Sequence, residues 1–472
     1  MAAMPRGLEA DYLVVGAGAS GMAFADALTD HADVRVALVD RRHGPGGHWL
    51  DAYPFVRLHQ ASSFYGVSST VLGSGSIQSE GPEAGLHERA SAAEICAYYQ
   101  RVLHERLLPS GRVEFHPSCE YLGDGSFVSR LSGERYQAGP DCRIVDARYL
   151  APEIPATAGT PFGVADGARV LPVNELARLE TAPGEFVVVG SGKTATDACI
   201  WLLESGVDPD SICWVRPRDP WMLDRAVVQP DPAVFIAMAA DTMEAACEAS
   251  SPDDLFLRME AAGVMLRIDP SVTPTMAKTP TLARWELDLL RSIERVVRRG
   301  HVRGVHPGRI ELADGDAAIH RDAAIVHCAA SGLQYPPLVP IWAEEAITIQ
   351  PVRAGFPCLA AALVGYVEAT REDDAEKNRV CPPSPLSDTP ADWASMQALG
   401  GRASLAFSAE PDIKEWIDRV ALNPARVPPG QAADPDLAAA AERFGAAVTP
   451  GLAAMAKLAG LEPLQRRTAG AR

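Results

Sequence analysis

The 472 residues exceed one ordinary domain and suggest two or three, and an apolar content of 47% allows full cores. A formal net charge of -18 argues against nucleic acid and anionic membranes as partners, because neither offers a counter-charge. Nine singly scattered cysteines without a CxxC exclude a disulfide framework, and the eleven histidines show no metal-ligand spacing.

The N-terminus has no long apolar h-region and no later run is long enough to span a membrane, so a soluble cytoplasmic protein is expected. Tyr12 to Val15 is an apolar run entering Gly16, Gly18 and Gly21, and Met22 to Leu28 follows at helical spacing. Val34 to Val39 is a second apolar run, closed by Asp40. Strand, glycine turn, helix, strand, acid is the order a dinucleotide-binding unit requires. Gly16 allows the turn, Gly18 lets backbone approach a pyrophosphate, and Gly21 lets helix and strand pack closely. The helix N–H groups, with Ser20 in the first turn, face the phosphates; Asp40, followed by Arg41, accepts from ribose hydroxyls.

After GGHW at Gly46 to Trp49, residues 51–70 mix aromatics with Arg57, His59 and Gln60 and keep no clean period. Such an ordered loop beside a dinucleotide fold often lines a ligand. Residues 73–85 (GSGSIQSEGPEAG) read as a flexible or surface excursion. Residues 89–106 carry helical spacing with Ser91 as a cap. Short runs at Val113 to Phe115, Cys119 to Leu122, Phe127 to Leu131 and Arg143 to Val145 suggest a small antiparallel or mixed sheet added to the first domain. Ala151 to Pro161 reads as a linker into a new unit.

Glu185 to Gly190 opens a second fingerprint, with Gly190, Gly192 and Ala195 at the three small-residue positions and the next strand at Ile212 to Val215. That strand ends in Arg216, Pro217 and Arg218 instead of an acid. Arginines there suit the extra ribose phosphate of NADP, or else solvate a strand end. GSGKT does not complete a triphosphatase loop, since the glycine needed five residues before Gly192 is Val187. Lys193, with Thr194 beside it, is either a pyrophosphate contact or an exposed first-turn lysine.

From Trp221 to His301 the alternation stops. Helical spacing at Pro232 to Cys247, Asp254 to Ala262 and Ala283 to Arg299 suggests an all-helical insertion. Ala324 to Cys328 reads as a buried strand and Leu359 to Glu368 as a helix, with Gln350 ahead of it. Helical stretches around Ser404 to Val420 and Leu437 to Leu458 follow, then a frayed LQRRTAGAR.

Two dinucleotide units in one chain imply two cofactors, a resident FAD and an NADP(H) that reduces it. The chain resembles the two-dinucleotide-domain flavoproteins that include flavin-containing and Baeyer–Villiger monooxygenases. The resemblance is carried by Gly16, Gly18 and Gly21 with Asp40; by Gly46 to Trp49; by Gly190, Gly192 and Ala195 with Arg216 and Arg218; and by His327 to Leu333. It implies an α/β fold of two Rossmann-like domains, the second inserted in the first. Residues 1–160 and 321–380 would form the FAD domain, and residues 161–320 the NADP domain, with a helical insertion at about 222–300. Residues 381–472 would be a C-terminal helical extension.

The resemblance further implies that Gly47, His48 and Trp49 lie by the flavin and that Gln350 to Arg353 fall near its ring. Three residues are then catalytic candidates: Arg57 as a charge over the flavin or an ordinary loop salt bridge, His59 as a proton carrier or packing residue, and Gln60 as a donor to flavin carbonyls or a loop amide bonding its own backbone. The implied activity is a monooxygenase in which NADPH reduces FAD and a peroxyflavin oxygenates a small organic substrate with molecular oxygen. The alternatives are an NADPH-dependent reductase without oxygen transfer and a cofactor-binding protein that does not turn over. Two departures bear on that choice. The linker histidine of those monooxygenases is absent from PFGVADGARVLPVNELARL, where Asn174 stands near its place as a nicotinamide contact or a helix cap. The usual Lys-Arg pair is broken at Lys278 and Thr279. Alanine-rich C-terminal helices offer a surface for a homodimer.

Overall fold

A computed structural model describes residues 4–330, 332, 335–353 and 355–461. Tyr12–Val15 and Val36–Val39 are short, apolar and almost wholly buried, as strands covered on both faces must be. They lie side by side in a five-stranded parallel sheet ordered Ile347–Thr348, Arg143–Asp146, Tyr12–Val15, Val36–Val39, Val113–His116. Val113–His116 and Arg143–Asp146 therefore belong to this main sheet and not to the added one. Only Cys119–Gly123, Ser126–Ser129 and Arg135–Ala138 form the added sheet, completed by Arg6–Leu8. Helix α1 (Ala19–His31) starts straight from the first glycine turn. A Cβ on Gly21 would sit 1.8 Å from the Gly16 carbonyl oxygen, so glycine is obligatory where helix meets strand.

The second parallel sheet runs Arg169–Pro172, Ala323–His327, Glu185–Val189, Ile212–Val215, Val296–Val297. Ala323–His327, expected in the returning part of the first domain, is thus an inner strand of the second. The crossing back lies after it, where Glu153 and Gly332 exchange backbone hydrogen bonds of 2.8 and 3.1 Å and hold the two interdomain passages side by side. Of the crossing segment His327 to Leu333, Ser331 and Leu333 lie outside the described residues, as does the tail LQRRTAGAR. Helix α2 (Lys193–Glu204) follows the second glycine turn.

The insertion is not all helical. Helix α3 (Pro232–Glu248) and Pro252–Ala261 stand beside a three-stranded sheet of Trp221–Asp224, Met265–Arg267 and Thr281–Leu282. The amphipathic helix stops at Arg291, eight residues before the expected Arg299. Beyond it two β-branched residues, Val296 and Val297, pair with the open edge of Ile212–Val215, which outcompetes further helix.

Helix α4 (Pro357–Thr370) is apolar all round and buried. It returns the chain to the first sheet and lies so close to α1 that a Cβ on Gly365 would be 2.5 Å from the Phe24 carbonyl oxygen. Its buried Glu368 accepts from Tyr12 Oη at 2.8 Å, Trp342 Nε1 at 2.7 Å and Lys377 Nζ at 2.7 Å. The expected helix at Ser404 to Val420 is two. Helix α5 (Pro390–Ser408) ends before Pro411–Ile417, because proline suits a first turn and not a helix interior. Helix α6 (Pro435–Leu458) packs its buried face on α3 and α5 of the same chain. Gly451 lets it touch α3, where a Cβ would meet the Met243 carbonyl oxygen at 2.9 Å. A Cβ on Gly401 of α5 would meet Leu452 Cδ2 at 2.4 Å. Among the described residues no helix is long and apolar enough to cross a membrane.

The α1–α4 contact yields a prediction. Gly365→Ala must push α4 off the α1 backbone and is expected to cost about 1–3 kcal/mol. Urea or thermal unfolding measures it, and unchanged stability would mean that the two helices part freely.

Candidate functional site

Both glycine turns open into one cavity of about 1510 Å³. That exceeds the roughly 300–1,000 Å³ of a single small-molecule pocket. On one side the first turn is left-handed at Gly16 (φ 108°), and Gly18 caps α1 without any side-chain hydrogen bond, so the first N–H groups of α1 have no protein cap. The GGHW segment is stitched onto this turn. Gly46 N–H donates to the Ala17 carbonyl at 2.9 Å, and a Cβ on Gly47 would lie 2.9 Å from Gly18 Cα. Asp40 is buried, accepting from the Ala17 and Arg42 N–H groups at 2.7 and 2.8 Å; Ser20 and Arg41 line the cavity beside it.

On the other side Gly190 is left-handed (φ 134°), with a built Cβ only 3.0 Å from the Cys328 carbonyl oxygen. Gly192 caps α2, again without a side-chain cap, and Ser191, Lys193 and Thr194 line the cavity. Lys193 is neither exposed nor free. Its ammonium pairs with Asp197, whose other oxygen accepts from Tyr53 Oη at 2.7 Å.

The loop at 51–65 lines the space between the two turns, as its composition suggested. Trp49 Nε1 donates to Tyr65 Oη at 2.6 Å, which fixes the indole. His48 is neutral at pH 7, since burial and then Arg42 push its pKa down to about 4. His59 and Gln60 also line the cavity. Burial, then Lys193, Arg225 and Arg89, push His59 down to about 3, so it cannot carry a proton near neutral pH. Its Nδ1 instead accepts from the Thr281 N–H at 3.4 Å.

Four predicted residues lie differently from expectation. Arg57 does not line the main cavity. Val56 and Leu58 turn inward, so extended-chain alternation turns Arg57 out, where its Nη1 donates to the Arg89 carbonyl at 3.0 Å beside a separate hollow of about 690 Å³. Gln350 is fully buried and its amide is consumed by Val339, accepting from its N–H at 3.2 Å and donating to its carbonyl at 2.8 Å. Arg216 is buried below the strand end, 4.6 Å over the Trp214 ring and 3.2 Å from Asp219, and is not part of the cavity wall. Arg218 does line the cavity, held by Asp388 at 2.7 Å and the Thr275 carbonyl at 2.6 Å. Asn174 is not a helix cap; it sits inside the short helix Val173–Leu176, lines the cavity and donates to the Asp51 carbonyl at 2.8 Å, tying the second domain to the loop.

One group escaped the sequence reading, and a second left only a hint in it. Residues 73–85 are not simply surface. They return Glu83 to a buried quartet, where it pairs with Arg225 and, at 2.6 Å, with Arg89, while Glu286 pairs with Arg225 at 2.7 Å. Burial opposes ionisation of Glu83, yet Arg89 and Arg225 hold its pKa down to about 2. The second group is an apolar arm of the cavity between α3, α5 and α6, walled by Phe235, Met238, Leu405, Phe407 and Leu452, with Arg353 at its inner end. Its only sequence signal was the apolar character of α3.

A family model described as an NAD(P)-binding Rossmann-like domain matches residues 14–57. The uncharacterized protein Rv2000 of Mycobacterium tuberculosis is 43% identical over 419 residues, which cover 88% of this chain and 78% of that one. Among solved structures, a mutant flavin monooxygenase from Stenotrophomonas maltophilia aligns with 77% of this chain and 98% of its own, at 15% identity and a TM-score of 0.45. The bacillithiol disulfide reductase Bdr of Staphylococcus aureus aligns over the same shares at 12% identity and a TM-score of 0.44.

Of the histidines whose pKa is depressed, His48 and His59 set an acid limit. Both are neutral in the folded state, while an unfolded histidine takes up a proton below about pH 6.5. Their contribution is full above that pH and is lost as pH falls toward the folded values of about 4 and 3. His59→Asn is therefore expected to flatten the decline in stability between pH 6.5 and 4 by up to about 1.4 kcal/mol per pH unit. Urea unfolding at pH 7 and pH 4.5 reads the difference, and parallel declines for variant and wild type would refute it.

Proposed function

For a chain that belongs to the same family as that mycobacterial protein, we propose an FAD-containing, NADPH-dependent oxidoreductase, and more specifically a monooxygenase of a small organic substrate. One observation carries the reading: two helix N-termini, each uncapped and each preceded by a left-handed glycine, open into a single cavity. A lone dinucleotide needs one such turn. Two facing turns suit an electron donor and an acceptor held against each other.

The residues fit the two groups. Gly16, Gly18, Ser20 and Gly21 would take the FAD pyrophosphate on the α1 N–H groups, in a cradle that a Cβ at Gly47 would fill. Asp40, already oriented by two backbone N–H groups, would accept from the adenosine ribose. Gly47, His48 and Trp49 follow along the same wall. Gly190, Gly192 and Thr194 would take the NADP pyrophosphate on α2, and Arg218, which lines the cavity, would meet the extra phosphate. Bound there, FAD supplies acceptance of hydride from NADPH and activation of molecular oxygen. The chain contributes orientation and exclusion of water: apolar walls close the arm, and His59 stays a neutral acceptor beside Gln60.

A second reading, an NADPH-dependent reductase without oxygen transfer, is favoured by Asn174. Near the place of the missing linker histidine it offers an amide, which cannot take up a proton as an imidazole does and which donates to the Asp51 carbonyl.

Anaerobic mixing of the yellow protein with NADPH or NADH, followed by oxygen, separates these. Fast bleaching by NADPH with oxygen incorporated into a product supports the monooxygenase. Bleaching with all reducing equivalents recovered as hydrogen peroxide supports the reductase. No bleaching by either nucleotide overturns both. Arg218→Ala is expected to raise KM for NADPH roughly tenfold, the scale of one lost charge-assisted hydrogen bond, and to leave NADH unaffected. Equal effects on both nucleotides would remove Arg218 from the phosphate site.

A further inference from the structure

The apolar arm of the cavity contains one cation that no described residue neutralises. The arginines whose side chains are buried in the interior have carboxylates: Arg216 has Asp219, Arg225 has Glu83 and Glu286, and Arg89 has Glu83; Arg353 is half-buried. Arg353 forms no ion pair among the described residues. Its Nη1 donates to Asn423 Oδ1 at 2.8 Å, and its guanidinium carbon lies 5.9 Å from the Phe235 ring centre and 5.7 Å from that of Phe356. Burial lowers its pKa to about 10, which leaves it charged at neutral pH.

The arrangement is aimed. Asn423 is itself pinned, donating to the Ile417 carbonyl at 3.1 Å and accepting from the Ala425 N–H at 3.1 Å, so its oxygen holds one edge of the guanidinium. The two aromatic faces recover part of the desolvation cost. Of five guanidinium N–H groups, one has a protein partner among the described residues, and the side chain lines the cavity. Half-buried beside apolar and aromatic walls, the remaining N–H groups suit an anion with matching acceptors. Past it the arm offers Phe235, Met238, Phe407 and Leu452, which suit an apolar body.

We propose that Arg353 is a carboxylate clamp and that the substrate is an organic acid with an apolar body, its carboxylate on the guanidinium and its body between α3, α5 and α6. The proposal rests on the oxidoreductase reading for the word substrate, but its test needs no turnover. Calorimetric titration of the flavin-loaded protein, without nucleotide, would compare decanoate, methyl decanoate and 1-decanol. Decanoate is expected to bind roughly 10- to 100-fold tighter than the two neutral probes, the range of a charge-assisted pair. Arg353→Met is expected to abolish that preference and leave 1-decanol binding unchanged, with Arg353→Lys retaining part of it. Equal binding of all three probes by the wild-type protein, or binding of none, overturns the proposal even if no variant folds. A variant that shifts the flavin spectrum but keeps decanoate affinity overturns it too, by assigning Arg353 to the cofactor. A protein that prefers decanoate yet is not reduced by NADPH would keep the clamp and lose the oxidoreductase.

Discussion

Four buried charges hold the two dinucleotide units face to face. Glu83 comes from the excursion off the first domain and Arg89 from just beyond it, Arg225 and Glu286 from the insertion in the second, and the set is neutral as a whole. Removing one member would strand its partner in a dry site, a loss of roughly 3–5 kcal/mol in comparable pairs. Buried pairs contribute more to geometry than to net stability, and here the geometry is the cavity. Arg225 Nε also donates to the His59 carbonyl at 3.2 Å, so the clasp reaches the loop that lines it. With the clasp in place, α1 and α2 aim their N-termini into common space.

The frame was legible because its signals are local. Each glycine turn needs no distant partner to be recognised; the positive φ at Gly16 and Gly190 and the forbidden Cβ at Gly21 follow from the same few residues that form the motif. The lining role of residues 51–65 was legible from composition. What failed was whatever depended on parity or on a neighbour from elsewhere in the chain. Arg57 is one residue off the inward face of its extended segment, and a period of two is invisible when neither face is clearly apolar. Val113–His116 and Arg143–Asp146 have the length and composition of meander strands, and only pairing with Val36–Val39 and Tyr12–Val15 assigns them to the main sheet. Gln350 and Arg353 are polar residues three apart before one helix; one is consumed by Val339 and the other is left open, a distinction made by tertiary contacts alone.

Frame and roof have different physical characters. The parallel sheets are held by continuous buried strands, close helix contact at Gly365 and the Glu368 network, which together leave little freedom for substitution. The roof is three helices from separate parts of the chain, packed through methionine, alanine and aromatic side chains such as Met243, Met455 and Trp393. Methionine fills irregular space and tolerates exchange. Differences in what the cavity accepts can therefore accumulate in α3, α5 and α6 without disturbing either glycine turn.

The width of that arm is set by side chains that are missing. Gly451 lets α6 rest on the α3 backbone at Met243, and Gly401 leaves room for the Leu452 branch. The two contacts differ in stiffness. At Gly451 the obstacle is a carbonyl, which cannot yield, so one added methyl would lever the helices apart and widen the bore along its length. At Gly401 the obstacle is the end of a leucine, which can swing, so the same methyl would narrow the bore at one level only. The width of the arm would thus answer one added carbon atom coarsely at Gly451 and finely at Gly401.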